Sequence, residues 1–296
     1  MNGGLDIPEY FENRLPNDKS GRMRRLLERA SKYSPTAAEV IDDAQSRGCR
    51  YDFMSGIDGY VGFYDARTNS VCLNVMLSNE ELVTTLVHES RHAVQPNCLL
   101  SAGKNIRTNL QINRSKEADA MAFECAAAFE MQNNYPKAWH LFKKEHPQIA
   151  VAYAREIKQS GDRNFAVGEA FKAWHDDMDY VSEYDRDVIR YLSFQAKRTG
   201  KKFLTENMMP REISGLFCMH HGKGYLNDPD FLSSKRALGV SESVLMQSRL
   251  LACKKEALYG HFDTSIDDLV PRLTDVKDFT FQNKNHFVAK IRNNGR

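Results

Sequence analysis

Long apolar runs, paired cysteines and an excess of one charge are all missing from this chain of 296 residues. No apolar stretch approaches the ~20 residues that a membrane-spanning helix needs, so the sequence predicts no membrane span. The six cysteines include no Cys-x-x-Cys pair, which disfavours a cysteine-ligated structural zinc and favours free thiols in a reducing compartment. The 41 basic and 39 acidic residues nearly balance, so no nucleic-acid partner is expected.

The sequence also lacks a recognisable targeting signal. Residues Met1–Pro8 hold neither a basic start nor a hydrophobic core, so no secretory signal peptide is predicted. We therefore expect a cytoplasmic protein, or one delivered by a secretion system that needs no signal peptide. Hydrophobic residues make up 42% of the chain and charged residues 27%, which is typical of a soluble globular protein with one large domain or two modest ones.

What the sequence does carry is the pentad His88-Glu89-Ser90-Arg91-His92. On a helix, His88 and His92 lie four positions apart on one face, close enough to bind one metal ion. The carboxylate of Glu89 can then reach a water held by that metal without being a ligand itself. This arrangement is typical of a zinc-dependent peptidase in which the glutamate is the general base.

The residues around the pentad favour a helix that follows a strand. A strand is predicted over Val71–Met76, and Ser78 or Asn79 can cap the next helix. Pro96 then ends this helix one turn after the second histidine. The alternative is a surface helix that carries two histidines by coincidence, but apolar neighbours would make uncoordinated imidazoles costly to bury.

A catalytic zinc ion needs a third protein ligand and one open position. The next candidate segment, Lys116–Glu130, is predicted to be a helix, and its alanines would allow close packing. Three acids of this segment are candidate ligands: Glu117, Asp119 and Glu124.

At these residues the chain resembles the gluzincin peptidases, in which the third ligand is a glutamate on a second helix. Their Glu-x-x-Ala motif is matched by Glu117–Ala120, so the resemblance implies Glu117 as the ligand. Asp119 and Glu124 are then alternative ligands or supporting groups. Met121 stands where that family usually has an Asp or Asn that supports a histidine.

Peptide hydrolysis also needs a hydrogen-bond donor for the developing oxyanion besides the metal. His175 is one candidate, and Tyr180 and Tyr184, four positions apart, are others. For each of them a core or surface position is the more common alternative. The expected partner is a protein or peptide substrate. From the strand order we hypothesise that an extended substrate pairs with Val71–Met76 or with the neighbouring strand.

The predicted order of elements is that of a minimal zincin core, with a short mixed β-sheet, the HExxH helix and the third-ligand helix. The expected fold class is α+β, mostly helical. We expect an N-terminal helical segment at 1–49, a zincin-like metallopeptidase core at 50–199, and a helical C-terminal region at 200–296 packed on the core. Residues 97–114 are polar and are predicted to loop over the cleft. Over residues 50–190 the chain is also similar to an uncharacterised group of bacterial candidate metallopeptidases.

The sequence therefore predicts an enzyme, a zinc-dependent endopeptidase that uses a zinc-bound water. Two alternatives stay open. One is a zinc-binding or interaction module that has lost catalysis, which Met121 favours and Glu89 disfavours, because the base has no structural duty. The other is the same chemistry in a bacterial secreted effector or toxin. No sequence feature indicates an oligomeric state.

Overall fold

A computed structural model describes residues 19–55 and 61–272 of the chain. It divides into two compact units: one holds residues 19–55, 61–94 and Ala126–Glu145, and the other holds Gln95–Cys125 and residues 146–272. Helices dominate and small sheets accompany them, which confirms the α+β, mostly helical fold class. The expected division at 49 and 199 stays a prediction, and its residues 1–18 and 273–296 lie outside the described residues.

In chain order, the α-helices and strands of the described residues are α1 (Lys19–Tyr33), α2 (Pro35–Ser46), β1 (Arg50–Met54), β2 (Gly62–Asp65), β3 (Ser70–Asn74), α3 (Asn79–Val94), α4 (Ile106–Glu130), α5 (Pro136–Glu145), α6 (Pro147–Ser160), α7 (Arg163–Trp174), α8 (Met178–Gln195), α9 (Pro210–Phe217), β4 (Met219–His220), β5 (Lys223–Gly224), β6 (Gly239–Ser241), α10 (Glu242–Tyr259) and β7 (Val270–Arg272).

The first unit contains a mixed sheet in the order β1-β3-β2. Strand β3 runs parallel to β1 and antiparallel to β2. Its consecutive residues Val71, Cys72 and Leu73 are all buried, because the strand is covered on both faces. The prediction that a substrate pairs with β3 itself is wrong, since both edges of this strand are already paired; β1 and β2 are its neighbours at the edges of the sheet.

The helix that carries the pentad is anchored at its first turn. Arg22 on α1 donates to the carbonyl of Val75 at 2.7 Å and to Oδ1 of Asn79 at 2.8 Å. Ser78 and Glu81 form a capping box, with the Ser78 amide donating to the Glu81 carboxylate at 2.8 Å and the Glu81 amide donating to Ser78 Oγ at 3.4 Å. The apolar residues of the next turns are completely buried: Leu82, Val83, Leu86 and Val87. The predicted helix is thereby confirmed.

In the second unit, α4 begins earlier than the sequence suggests. The prediction of a loop over 97–114 is wrong for its second half, because residues from Ile106 onward are helical. Oδ1 of Asn105 accepts from the Thr108 amide at 2.8 Å, and Oδ2 of Asp263 accepts from the Ile106 amide at 2.9 Å. These bonds satisfy amides that a helix start leaves without intrahelical partners.

A buried ion pair fixes α4 against α8. Nε of Arg114 donates to Oδ1 of Asp185 at 2.8 Å, and Nη1 donates to the carbonyl of Ala237 at 2.7 Å. Arg114 is 2% exposed and Asp185 is completely buried. Burial raises the pKa of Asp185, while the Arg114 charge opposes that rise. The Arg114 guanidinium therefore points into the unit, where a carboxylate and a backbone carbonyl accept its hydrogen bonds.

Within the described ranges, none of the helices combines the length and the apolar character that a membrane crossing requires.

Candidate metal centre

The two imidazoles of the pentad lie one helical turn apart on α3. His88 and His92 are both buried, and their Nε2 atoms are 3.2 Å apart. The rings are nearly perpendicular, with centroids 4.9 Å apart. Two nitrogen ligands at roughly 2.0–2.1 Å from one tetrahedral zinc ion stand about 3.3 Å apart. The pair therefore already has the spacing of two ligands of one metal ion.

Glu117 on α4 lies close enough to the two imidazoles to be a third ligand. One carboxylate oxygen of Glu117 and one ring nitrogen each of His88 and His92 all lie within 4.8 Å of one another, and all three residues are buried. Two imidazoles and one carboxylate form a known donor set of catalytic zinc, which leaves a position for water or substrate. The residues that the sequence singles out as ligands thus meet as a group whose chemistry fits the metal.

Another group in the described part of the chain satisfies the same distance limit: Glu39, His220 and His221. Its two histidines are consecutive and lie at the hairpin between β4 and β5, where His221 has a φ of 47°. His221 is exposed. We place the candidate centre at the buried group, because its helix also carries Glu89.

Glu89 follows His88 on α3 and is 5% exposed. Its neighbour Ser90 faces the sheet: Ser90 Oγ donates to the carbonyl of Leu86 at 2.6 Å and lies 3.1 Å from the hydroxyl of Tyr51 on β1. Burial raises the pKa of Tyr51 above its ordinary value, so this hydroxyl stays neutral. The hydroxyl contact between Ser90 and Tyr51 therefore joins the middle of the pentad to the sheet. Glu89 is the carboxylate that lies next to the first imidazole in the sequence.

Two other acids of α4, Asp119 and Glu124, are buried but belong to neither group of candidate ligands. Asp119 is completely buried, and Glu124 is 8% exposed. Oδ2 of Asp119 accepts from Nε2 of Gln95 at 2.8 Å, and Oδ1 accepts from the hydroxyl of Tyr225 at 2.8 Å. Of the two uses predicted for Asp119, these contacts favour that of a supporting group.

The tyrosines proposed as oxyanion donors contact each other on α8. The hydroxyls of Tyr180 and Tyr184 are 3.0 Å apart. Burial raises the pKa of Tyr180, and the negative charges of Glu117 and Glu124 raise it further. Tyr180 is therefore a neutral phenol within electrostatic range of the candidate ligand on α4, which suits a donor to an anionic oxygen.

His175, the third candidate donor, has a different environment. It is 1% exposed at the end of α7, its Nδ1 lies 3.1 Å from the carbonyl of Phe171, and Trp174 and Phe231 pack against its ring. Burial lowers its pKa to about 3, so the ring stays neutral. These contacts are those of a core histidine.

Sequence reasoning missed the partners of Asp119. Gln95 stands directly after α3, but the sequence does not indicate which group its long side chain contacts. Tyr225 is 106 positions from Asp119, and no local pattern marks it.

A sequence model of one protein family matches residues 7–226 of the chain, and that family is described as "Putative metallopeptidase family (DUF6782)". The matched stretch contains both histidines of the pentad and Glu117. No curated protein and no solved structure matches the chain. The match supports a metal-dependent peptidase and says nothing of the substrate.

Proposed function

The chain belongs to the putative metallopeptidase family, and on this premise we propose that it is a zinc-dependent endopeptidase. The observation that carries the proposal is the group formed by His88, His92 and Glu117, whose ligand atoms lie within 4.8 Å of one another. Imidazole and carboxylate donors together favour zinc over magnesium or calcium, which prefer oxygen ligands alone.

The ligands divide between two helices. His88 and His92 on α3 would hold the ion through ring nitrogens, and Glu117 on α4 would hold it through a carboxylate oxygen. When bound, zinc supplies Lewis-acid chemistry, because it lowers the pKa of water toward about 7 and polarises a carbonyl group.

Glu89 is the general base in this proposal. Its carboxylate accepts a proton from water as the water oxygen forms a bond to the scissile carbonyl carbon. It then gives that proton to the amide nitrogen as the carbon–nitrogen bond breaks, which releases an amine and a carboxylic acid. Glu89 is 5% exposed, so its carboxylate is largely shielded from bulk water.

Tyr180 is the residue that we assign to the oxyanion, with Tyr184 as its hydrogen-bonded support. Because the pKa of Tyr180 is raised, the phenol keeps its proton at neutral pH and can donate a hydrogen bond to a developing negative charge. We assign no catalytic role to His175, because its Nδ1 is directed to the carbonyl of Phe171. An extended substrate would pair with β1 or β2, the strands at the edges of the sheet.

The proposal is tested with the purified, zinc-loaded protein and a mixture of peptides analysed by mass spectrometry. We expect cleavage by the wild type and none by Glu89→Gln, while both contain one zinc ion per chain. Glu28→Gln, an exposed substitution on α1, should cleave like the wild type. Zinc binding without cleavage in every form would favour the inactive zinc-binding module. A secreted effector would use the same chemistry. Its expression in a foreign cell should then be toxic, and Glu89→Gln should remove that toxicity.

A further inference from the structure

Asp119 is a completely buried carboxylate two positions after the candidate ligand Glu117. Residues two apart on a helix do not face each other, so Asp119 points to a different side of α4 from Glu117. Burying a carboxylate costs free energy unless other groups hydrogen-bond to it. The burial of Asp119 beside the candidate ligand Glu117 must therefore be explained by its hydrogen-bond partners.

Both oxygens of Asp119 accept hydrogen bonds. Nε2 of Gln95 donates to Oδ2 at 2.8 Å, and the hydroxyl of Tyr225 donates to Oδ1 at 2.8 Å. The same Gln95 amide also donates to the carbonyl of Lys116 at 2.7 Å. The Gln95 side chain thus binds the backbone carbonyl of Lys116, the residue before Glu117, and also the carboxylate of Asp119, two positions after Glu117.

Tyr225 is itself held in place. It is 2% exposed, and its amide donates to the carbonyl of Cys218 at 3.1 Å. Its ring packs against Phe123 and Phe171, and its backbone carbonyl lies against Gly168. A tyrosine fixed at its backbone and its ring presents its hydroxyl in one direction, so it is a rigid donor to Asp119.

Gln95 connects this cluster to the other ligands through the chain. It is the residue after Val94, which ends α3, and it comes three positions after His92. Its two hydrogen bonds therefore tie the segment that leaves the histidine helix to the turn of α4 that carries Glu117.

We propose that Gln95, Asp119 and Tyr225 form a positioning clamp for the turn of α4 that carries Glu117, and we call these three residues the Asp119 clamp. The inference rests on the proposed zinc site and goes beyond it, because it assigns a role to residues that are not ligands. Partners that orient metal ligands typically contribute 10-fold to 100-fold in metal affinity. The clamp should therefore be visible in zinc binding itself.

The test measures the dissociation constant of Zn²⁺ by competition with a chromogenic chelator. We expect Tyr225→Phe, which removes only the hydroxyl, and Gln95→Met, which removes both amide donors at similar volume, each to raise this constant about 10-fold to 100-fold. The matched control is Tyr259→Phe, which removes the hydroxyl that donates to the Ala196 carbonyl at 2.9 Å. The control should bind zinc like the wild type.

Unfolding of the metal-free variants separates positioning from general damage. Tyr225→Phe and Tyr259→Phe each remove one hydroxyl hydrogen bond, so both should lower the melting temperature slightly, but only the first should weaken zinc binding. In saturating zinc, Tyr225→Phe should recover the metal occupancy of the wild type. Wild-type zinc affinity in both Tyr225→Phe and Gln95→Met would overturn the clamp while leaving the peptidase proposal intact. Failure of the wild type to bind zinc would overturn the peptidase proposal first.

Discussion

Gly168 on α7 approaches the backbone of Tyr225 so closely that a β-carbon at this position would lie 2.6 Å from the Tyr225 carbonyl oxygen. Such a contact is shorter than atoms tolerate, and the obstacle is backbone rather than a flexible side-chain end. The absence of a side chain at Gly168 is therefore what lets the segment after β5 pack on α7 and bring the Tyr225 hydroxyl to Asp119.

Gly168→Ala should destabilise the protein by about 1–3 kcal/mol, because overpacking forces the backbone to shift. Chemical denaturation of the metal-free protein measures this change. Gly215→Ala on α9 is the matched control, since nothing lies within 4 Å of a β-carbon there. It should stabilise the protein by about 0.5–1 kcal/mol, because glycine disfavours a helix interior relative to alanine. Equal stability of Gly168→Ala and wild type would contradict the close approach.

Removing one member of the buried Arg114–Asp185 pair should be severe. Arg114→Met leaves an unpaired carboxylate in the core and should lower the free energy of unfolding by about 3–5 kcal/mol, whereas the double variant Arg114→Met/Asp185→Leu should recover much of that loss. Urea denaturation of the two variants measures the difference. The exposed Arg211–Asp230 pair is the control, and Arg211→Met should leave the melting temperature unchanged. A single variant as stable as the double variant would show that the pair is not buried as described.

Two glutamates of α4 should differ in their effect on the metal. Glu117→Gln should lose bound zinc after dialysis, because it removes a charged ligand, while Glu124→Gln should retain one zinc ion per chain. Elemental analysis by mass spectrometry measures the zinc content. The reverse result would move the third ligand to Glu124.

Tyr180→Phe should lower kcat about 10²-fold to 10³-fold with unchanged zinc affinity, since it removes one donor to the oxyanion and no ligand. Steady-state kinetics on a cleaved peptide gives this value. Tyr259→Phe, which lies outside the site, should keep the wild-type kcat. A Tyr180→Phe enzyme with wild-type kcat would remove Tyr180 from the mechanism.

The core histidine His175 should make stability fall in acid. Its pKa is about 3 in the folded chain, against an ordinary value of 6.5. Between these values the unfolded chain binds a proton that the folded chain does not, so the free energy of unfolding decreases as the pH falls below about 6.5. The decrease approaches about 1.4 kcal/mol per pH unit.

Substitution tests this assignment. His175→Gln should lessen the dependence of stability on pH between about pH 6 and pH 4 by nearly one proton. His140→Gln, at an exposed position on α5, should leave the dependence as in the wild type. An unchanged dependence in His175→Gln would contradict the burial of a neutral ring.

The proposed ligand set could be named from the sequence because the information that points to it is local. His88 and His92 are set four apart by the helix period, and Glu117 lies in a short motif, so no long-range contact had to be known. The start of the pentad helix was predictable for the same reason, because the capping box of Ser78 and Glu81 lies within four residues.

Long-range contacts explain what the sequence did not show. Residues 106–114 look like a polar loop, yet Arg114 and its neighbours are buried because their partners, such as Asp185 and Asp263, lie far away in the chain. The central position of β3 depends on its pairing with β1, which periodicity does not reveal. The use of Asp119 depends on Tyr225 in the same way.

The most direct test of the zinc centre is anomalous diffraction from crystals of the zinc-loaded protein, recorded on both sides of the zinc absorption edge. We predict one peak at roughly 2.0–2.2 Å from Nε2 of His88, Nε2 of His92 and a carboxylate oxygen of Glu117. No peak at these residues, or a peak only at Glu39, His220 and His221, would contradict the proposed function.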